Sequence, residues 1–278
     1  MKKIISVLTA TRAEYGLLRP IISKLIEIKE FEIKIVVTGS HLSSEFGLTY
    51  LDIEKDGYII DRKIDILLSS DSPSSISKSM GLAMIGFADY FGTVNPDLLI
   101  ILGDRFETLA VAACAMNQRI PIAHLYGGET TEGAIDESIR HALSKLSYLH
   151  FTSTEEYRKR VIQLGEHPDR VFNVGSTGVE NILSETLLTK NELEQMIKID
   201  LSRPYAIVTF HPVTLEINSS ELQILELLEF CKEFKNINFI FTKANSDADG
   251  RIINRYIDEY AVKNDNISVF TSLGMVGY

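Results

Sequence analysis

Cysteine is scarce in this sequence, which has only Cys114 and Cys231 among its 278 residues. Each lies among apolar residues of a predicted helix, so we expect two small buried side chains rather than a disulfide or metal ligands. No Cys/His cluster has the spacing of a zinc site. The sequence therefore predicts neither a metal nor a redox cofactor.

Positive charge is also in deficit, with 28 Lys and Arg against 38 Asp and Glu and a net charge of -10. No Lys/Arg stripe stands out, which argues against a nucleic-acid-binding protein. No apolar run is long enough to span a bilayer. The short apolar run after Met1 is followed at once by Arg12, so we interpret it as the first strand of a cytoplasmic protein rather than a signal peptide. The dinucleotide fingerprint G-x-G-x-x-G is absent too.

Strand and helix patterns alternate along the chain, which predicts an α/β fold with helices covering parallel strands. The predicted strands are 4–8, 32–38, 98–102, 120–124, 149–152 and 171–174, then 205–210, 238–242 and 267–270. Between the two series lies a polar helical stretch without a strand. We predict an N-terminal domain over 1–180, a helical linker over 181–204 and a second domain with a small core over 205–278.

Charged side chains follow the central apolar run at 98–102. Asp104, Arg105 and Glu107 come directly after it, at the carboxyl edge where open α/β sheets bind ligands. Asp104 and Glu107 also have the spacing of a helix capping box, with Asp in place of Ser or Thr. Both interpretations are compatible with a carboxylate that faces the crevice.

A second polar group follows the next predicted strand. Glu129 comes after two glycines that let the backbone approach a ligand closely. Asp136 and Glu137 then open a helix, where they could simply interact with its positive end. Arg140 could pair with Asp136 on the helix face. Polar groups at neighbouring strand ends would place several carboxylates in one cleft.

Cationic candidates lie at other strand ends. Arg12 follows the first strand, where it and the amides of the helix start could hold a phosphate, although an ordinary turn with a solvated Arg fits the pattern slightly better. His211 ends the first strand of the second domain and could face the first domain, contacting a phosphate or exchanging a proton. Asn245 precedes Asp247-Ala248-Asp249, whose D-x-D pattern suits either a metal or, better, a helix cap.

Five motifs together resemble one known family. They are Thr-Arg-Ala-Glu-Tyr-Gly at 11–16, Val-Thr-Gly-Ser-His at 37–41, Gly-Asp-Arg-Phe-Glu at 103–107, Ile-Asp-Glu-Ser-Ile-Arg-His at 135–141 and Val-Gly-Ser-Thr-Gly at 174–178. They resemble the hydrolysing UDP-N-acetylglucosamine 2-epimerases of sialic-acid-type biosynthesis along the whole chain. The resemblance implies two Rossmann-like domains in a glycosyltransferase-B-like arrangement, with a nucleotide sugar between them. It also implies a longer chain, so we expect the second domain to be incomplete here.

The reaction that the resemblance implies is loss of UDP from C1 with removal of the C2 proton, then addition of water to give free N-acetylmannosamine. It assigns catalysis to Asp104, Glu129, Asp136 and Glu137. It assigns substrate binding to Arg12, Arg105, Glu107, Arg140, His211 and Asn245. No cofactor is implied, and we expect the full-length form to be a homo-oligomer.

Two other functions fit parts of the sequence. A glycosyltransferase could share the two-domain plan, but it would not need carboxylates grouped around C2. A catalytically inactive fragment would fit the early end of the chain. The sequence does not separate UDP from GDP, N-acetylglucosamine from a diacetamido sugar, or the acid from the base among the carboxylates.

Overall fold

The computed structural model describes residues 2–184, 186–216, 219–245 and 247–278. The chain divides into two compact units, Met1–Leu183 and Ser184–Tyr278, each with its own parallel sheet. The predicted α/β class is therefore confirmed. No helix within the described ranges is long and apolar enough to cross a membrane.

The first unit contains a seven-stranded sheet. Its strands are β1 (Lys3–Thr9), β2 (Phe31–Thr38), β3 (Ile60–Ile64), β4 (Leu98–Leu102), β5 (Ile122–Leu125), β6 (Leu149–Thr152) and β7 (Val171–Asn173). Its helices are α1 (Arg12–Ile26), α2 (Tyr50–Lys55), α3 (Pro73–Val94), α4 (Phe106–Asn117), α5 (Asp136–Leu146), α6 (Glu155–Gln163) and α7 (Thr177–Ser184).

The strand order β3-β2-β1-β4-β5-β6-β7 is doubly wound, and every pairing in it is parallel. From β1 the chain moves outward to β2 and β3, and from β4 it moves outward in the opposite direction. The loops that leave β1 and β4 therefore diverge, which opens a crevice at their carboxyl ends. Arg12 and Asp104 follow these two strands.

Alternating side chains of the central strand supply both halves of the core. Leu99 and Ile101 of β4 pack with α3, α4 and α5, whereas Ile100 and Leu102 pack with α1 and α2. Successive residues of a strand point to opposite faces, so the uninterrupted apolar run at 98–102 is what a strand covered on both sides requires.

Helix α1 contains a proline in its interior. The helix begins at Arg12, and Pro20 is its ninth residue. Proline lacks the N–H that would bond the carbonyl four residues earlier, here Gly16. The Asn181 amide of α7 donates to that carbonyl oxygen at 2.8 Å. A side chain distant in sequence thus satisfies the acceptor that Pro20 leaves open.

The second unit has a three-stranded sheet in the order β10-β9-β8. Its strands are β8 (Tyr205–Thr209), β9 (Asn238–Thr242) and β10 (Ile267–Phe270), and its helices are α8 (Lys190–Ile197), α9 (Ser220–Glu233), α10 (Gly250–Ala261) and α11 (Gly274–Gly277). Ile197 and Leu201 pack with Ile240 of β9. Part of the segment assigned to a linker over 181–204 thus contributes to the core of this unit.

Candidate active site

The loop after β4 presents Asp104 on a constrained backbone. Gly103 adopts a φ of +77°, which glycine accepts readily because it has no Cβ. Its N–H donates to the Leu125 carbonyl oxygen at 3.0 Å. Helix α4 begins at Phe106 with Arg105 as its N-cap residue and no side-chain cap within the described chain. The capping-box interpretation of Asp104 and Glu107 is therefore wrong, because the helix begins two residues after Asp104.

Arg140 of α5 links the polar groups that follow β4 and β5. Its guanidinium contacts the Asp104 carboxylate and donates to the Thr131 hydroxyl at 2.9 Å. It also reaches Glu137 Oε2 at 3.4 Å. Because the Arg140 side chain is only 6% exposed, these are contacts of a largely desolvated cation, which are stronger than the same contacts in water. A carboxylate from the loop after β4 and one from the first turn of α5 are thus brought to one guanidinium.

The environments of the two carboxylates beside Arg140 differ. Burial raises the pKa of Asp104, and nearby Asp136 adds to that rise, while Arg140 opposes it. Burial also opposes ionisation of Glu137, but the Thr131 amide, His141 and Arg140 outweigh it and lower the pKa of Glu137. Asp104 therefore holds a proton more readily than an ordinary aspartate, and Glu137 is more readily ionised than an ordinary glutamate.

The loop that carries Glu129 is held by side chains from other parts of the first unit. The Ser153 hydroxyl, just after β6, donates to Glu129 Oε1 at 2.6 Å. Arg160 of α6 donates to the Thr130 hydroxyl and to the Gly128 carbonyl oxygen. The orientation of the Glu129 carboxylate is therefore set by residues after β6 and in α6, because Glu129 itself lies in a loop and not in a helix.

The loop between β1 and α1 uses some of the amides that were expected to hold a phosphate. The Ala10 and Thr11 amides donate to Glu14 Oε2 at 2.7 and 3.3 Å, and the Glu14 amide donates to the Thr11 hydroxyl. These reciprocal bonds form a capping box. Arg12 lies half-buried at the start of α1, so its side chain is the remaining phosphate candidate there.

Glu14 and Glu107 form a buried acidic pair that the sequence pattern does not reveal. Arg105 Nε donates to Glu107 Oε1 at 2.8 Å, and the Glu107 side chain is fully buried. Each glutamate keeps one carboxyl oxygen without a hydrogen-bond partner among the described residues. Burial, with a further contribution from Glu107, raises the pKa of Glu14 to about 8. Within the first unit, the buried Glu107 carboxylate therefore holds the Arg105 side chain.

Folded Glu14 keeps a proton that the unfolded chain releases near its ordinary pKa of 4.5, so we expect the contribution of Glu14 to the unfolding free energy to fall as the pH rises between about 5 and 8. The contribution is complete below the unfolded pKa and is lost as the pH passes the folded pKa. Glu14→Gln should remove this contribution, so its unfolding free energy, measured by urea unfolding, should increase relative to that of the wild type as the pH rises across that range. Glu30→Gln, which removes an exposed carboxylate, is the matched control, and equal slopes in all three proteins would contradict the expectation.

The second unit carries two of the predicted site residues, each in a loop that follows a strand. His211 is exposed two residues after β8, and Asn245 is half-buried in the loop between β9 and α10. Asp249 occupies the N-cap position of α10, without a side-chain cap in the described part of the chain, and accepts from the Ser220 hydroxyl at 3.1 Å. Among the described residues no group of three or more His, Cys, Asp or Glu side chains could hold a metal.

Two parallel α/β units, the first of them doubly wound, define the Rossmann-like, glycosyltransferase-B-like fold class that the sequence predicted. The crystal structure of UDP-GlcNAc 2-epimerase from Neisseria meningitidis bound to UDP-GlcNAc has this fold, with a TM-score of 0.76 and 20% identity. The match covers 96% of this chain and 72% of that one.

Residues 23–278 match the family model described as UDP-N-acetylglucosamine 2-epimerase. The chain belongs to this family. It is 44% identical over its whole length to the GDP/UDP-N,N'-diacetylbacillosamine 2-epimerase (hydrolyzing) of Campylobacter jejuni, and spans 72% of that protein. It is 36% identical over 94% of its length to the UDP-N,N'-diacetylbacillosamine 2-epimerase (hydrolyzing) of Legionella pneumophila, and spans 68% of that protein.

Proposed function

We propose that this protein is a hydrolysing 2-epimerase that converts UDP-N-acetylglucosamine, or a related nucleotide-activated N-acetyl sugar, to the nucleoside diphosphate and the free, C2-inverted sugar. The observation that carries the proposal is the convergence of Asp104 and Glu137 on Arg140, at the edge of the sheet that also carries Glu129. Several carboxylates at one ligand-binding edge suit a reaction that removes a proton at one stage and returns it at another.

The relatives support the hydrolysing form over simple epimerisation. Both curated relatives described above carry the word hydrolyzing in their names and act on N,N'-diacetylbacillosamine nucleotides. We therefore include a diacetamido sugar and a GDP-linked donor among the candidate substrates, beside UDP-N-acetylglucosamine. Assembly into homo-oligomers remains a prediction.

The proposed chemistry has two stages. In the first, the C1–O bond breaks, its electron pair leaves with the diphosphate, and a carboxylate takes the C2 proton to leave a C1=C2 double bond. In the second, water adds its oxygen to C1 as a hydroxyl group, a carboxyl group delivers a proton to the opposite face of C2, and a carboxylate takes the proton that the water loses. The C2 proton is weakly acidic in the sugar itself. Positive charge developing at C1 as the diphosphate departs makes that proton acidic enough for a carboxylate.

The environments of the carboxylates support a division of roles. We propose Asp104, whose pKa is raised, as a group that carries a proton through the reaction, and Glu137 as a carboxylate that stays ionised. Glu129 and Asp136 are proposed to complete the acid–base set. Arg140 holds the carboxylates, and Arg12 and Arg105 are proposed to stabilise the departing diphosphate. His211 and Asn245 remain proposed substrate contacts of the second unit.

The decisive experiment is incubation of the protein with UDP-N-acetylglucosamine in heavy water. We expect release of UDP together with free N-acetylmannosamine that carries deuterium at C2, because the C2 proton is removed and replaced from solvent. The product is identified by proton NMR and mass spectrometry. Parallel reactions with the UDP- and GDP-linked diacetamido sugars identify the preferred substrate.

Other outcomes would replace the proposal. A product that retains its original C2 hydrogen would exclude the elimination. Nucleotide release that requires an added sugar acceptor would indicate a glycosyltransferase, and no release of UDP or GDP from any of these donors would indicate an inactive chain. Deuterated UDP-N-acetylmannosamine without free sugar would indicate a non-hydrolysing epimerase.

A further inference from the structure

His124 of β5 is a fully buried histidine to which the proposed reaction gives no role. Its Nε2 lies 2.7 Å from the Gly103 carbonyl oxygen. A carbonyl oxygen only accepts hydrogen bonds, so Nε2 carries the hydrogen and the ring donates to the residue immediately before Asp104. Since the Gly103 amide donates to Leu125, both polar groups of Gly103 are bonded to residues of β5.

The other ring nitrogen of His124 faces helix α5. Its Nδ1 lies 3.5 Å from the Ser144 hydroxyl, and that hydroxyl donates to the Arg140 carbonyl oxygen at 3.1 Å. Burial lowers the pKa of His124 to about 4, with neighbouring Arg140 and His150 adding to that effect. The ring is therefore neutral at physiological pH, with its hydrogen on Nε2.

These contacts lie next to the proposed site. His124 Nε2 donates to Gly103, which precedes Asp104, and the Arg140 guanidinium contacts the Asp104 carboxylate. The Ser144 hydroxyl has one hydrogen, which it donates to the Arg140 carbonyl oxygen, so its approach to His124 Nδ1 is a packing contact rather than a hydrogen bond. Gly127 lies beside His124 and Ser144. A Cβ at Gly127 would lie 3.0 Å from Ser144 Oγ and 3.2 Å from His124 Nδ1, so a larger residue there would press on the contact between the imidazole and the hydroxyl.

We propose that His124 is a positioning residue for the proposed reaction: its neutral imidazole fixes the Gly103 peptide and thereby holds the Asp104 carboxylate against Arg140. The catalytic meaning of this role rests on the proposed function, but the positioning itself does not. A histidine that merely fills the core would affect stability without changing the proton affinity of Asp104 selectively.

The test uses two amide replacements that differ in reach. In His124→Gln the amide nitrogen extends to the place of Nε2 and can still donate to Gly103. In His124→Asn the amide ends near the place of Nδ1, so the bond to Gly103 is lost while a polar group still faces Ser144. Ser144→Ala is the matched control, because it leaves the bond from His124 to Gly103 in place.

The primary measurement is the titration of the Asp104 carboxyl carbon by 13C NMR, with the signal assigned by its absence from Asp104→Asn. We expect His124→Asn to move the Asp104 midpoint to higher pH, because the carboxylate loses the opposing effect of Arg140. His124→Gln and Ser144→Ala should titrate close to wild type. In the turnover assay, His124→Asn should lower kcat by roughly 10²-fold, as expected for a misplaced reacting group, with little change in KM.

Several results would overturn the inference. If His124→Asn and His124→Gln both folded and left the Asp104 midpoint unchanged, His124 would be an ordinary core residue. If the variants failed to fold, 15N NMR of the wild-type imidazole would decide the matter, since a hydrogen on Nδ1 instead of Nε2 contradicts donation to Gly103. If His124→Asn shifted the Asp104 midpoint but the wild-type protein released no nucleotide, the positioning role would stand and the proposed function would not.

Discussion

Asp104→Asn is expected to lower turnover by about 10²–10⁴-fold, which is the usual contribution of a positioned acid–base group. The amide has nearly the shape of the carboxyl group, but it cannot exchange a proton with the sugar. It also leaves Arg140 facing a neutral group in a site where the Arg140 side chain is 6% exposed and that of Asp104 is 20% exposed. The measurement is UDP release from the preferred nucleotide sugar at saturating concentration.

Thr131→Val provides the matched control for Asp104→Asn. It removes the hydroxyl that accepts from Arg140 at 2.9 Å, while the backbone amide that donates to Glu137 is retained. We expect less than a tenfold loss of turnover, since no proton-carrying group is changed. Circular dichroism of both variants checks that the fold is intact. Near-native turnover in Asp104→Asn would show that Asp104 only orders the loop.

The second large effect is expected at Gly128. This residue has a φ of +82°, and a Cβ built on it would lie 2.5 Å from the Tyr157 carbonyl oxygen and 2.9 Å from Val161 Cγ2. Gly128→Ala therefore combines left-handed backbone strain of about 1–2 kcal/mol with overpacking of about 1–3 kcal/mol. We expect a loss of about 2–5 kcal/mol in the unfolding free energy, measured by urea titration.

Gly175→Ala separates the two contributions at Gly128. Gly175 has a nearly identical φ of +83°, yet nothing lies within 4 Å of a Cβ built there. Its alanine variant should show the backbone strain alone, about 1–2 kcal/mol. Gly128→Ala should also reduce turnover, because Glu129 follows it directly and would be displaced from Ser153. Equal destabilisation by the two variants would mean that α6 moves away from the added methyl group with no loss of unfolding free energy.

The central part of the fold could be predicted from the sequence because burial on both faces produces an uninterrupted apolar run. Strand β4 lies where such a run predicted it, and β1 lies where a run interrupted only by Ser6 predicted it. Strand β3 was missed because its sequence, Ile-Asp-Arg-Lys-Ile, contains three charged residues and offers no apolar run. As an edge strand it is recognisable by its pairing with β2, and strand pairing depends on residues distant in sequence.

The position of the candidate site in the fold could be predicted from the sequence, whereas the contacts between its side chains could not. Alternating strands and helices put Asp104 and Glu129 at one edge of the sheet. The order of strands and helices could not show that Arg140 contacts Asp104, which lies 36 residues away. The spacing suggested only contacts between Arg140 and neighbours on its own helix. The roles of Glu14 and His124 were hidden for a similar reason, since the direction of a buried side chain depends on packing rather than on spacing.

The pairing of β1 with β4 has a consequence for how this protein emerges from the ribosome. Asp97 receives hydrogen bonds from Lys3 and from the Ile4 amide, residues more than 90 positions earlier. Until that stretch is synthesised, one edge of the apolar strand β1 is exposed. Such an edge can pair with another nascent chain. Slowing translation between codons 40 and 97 should therefore favour aggregation, whereas slowing it after β4 should not.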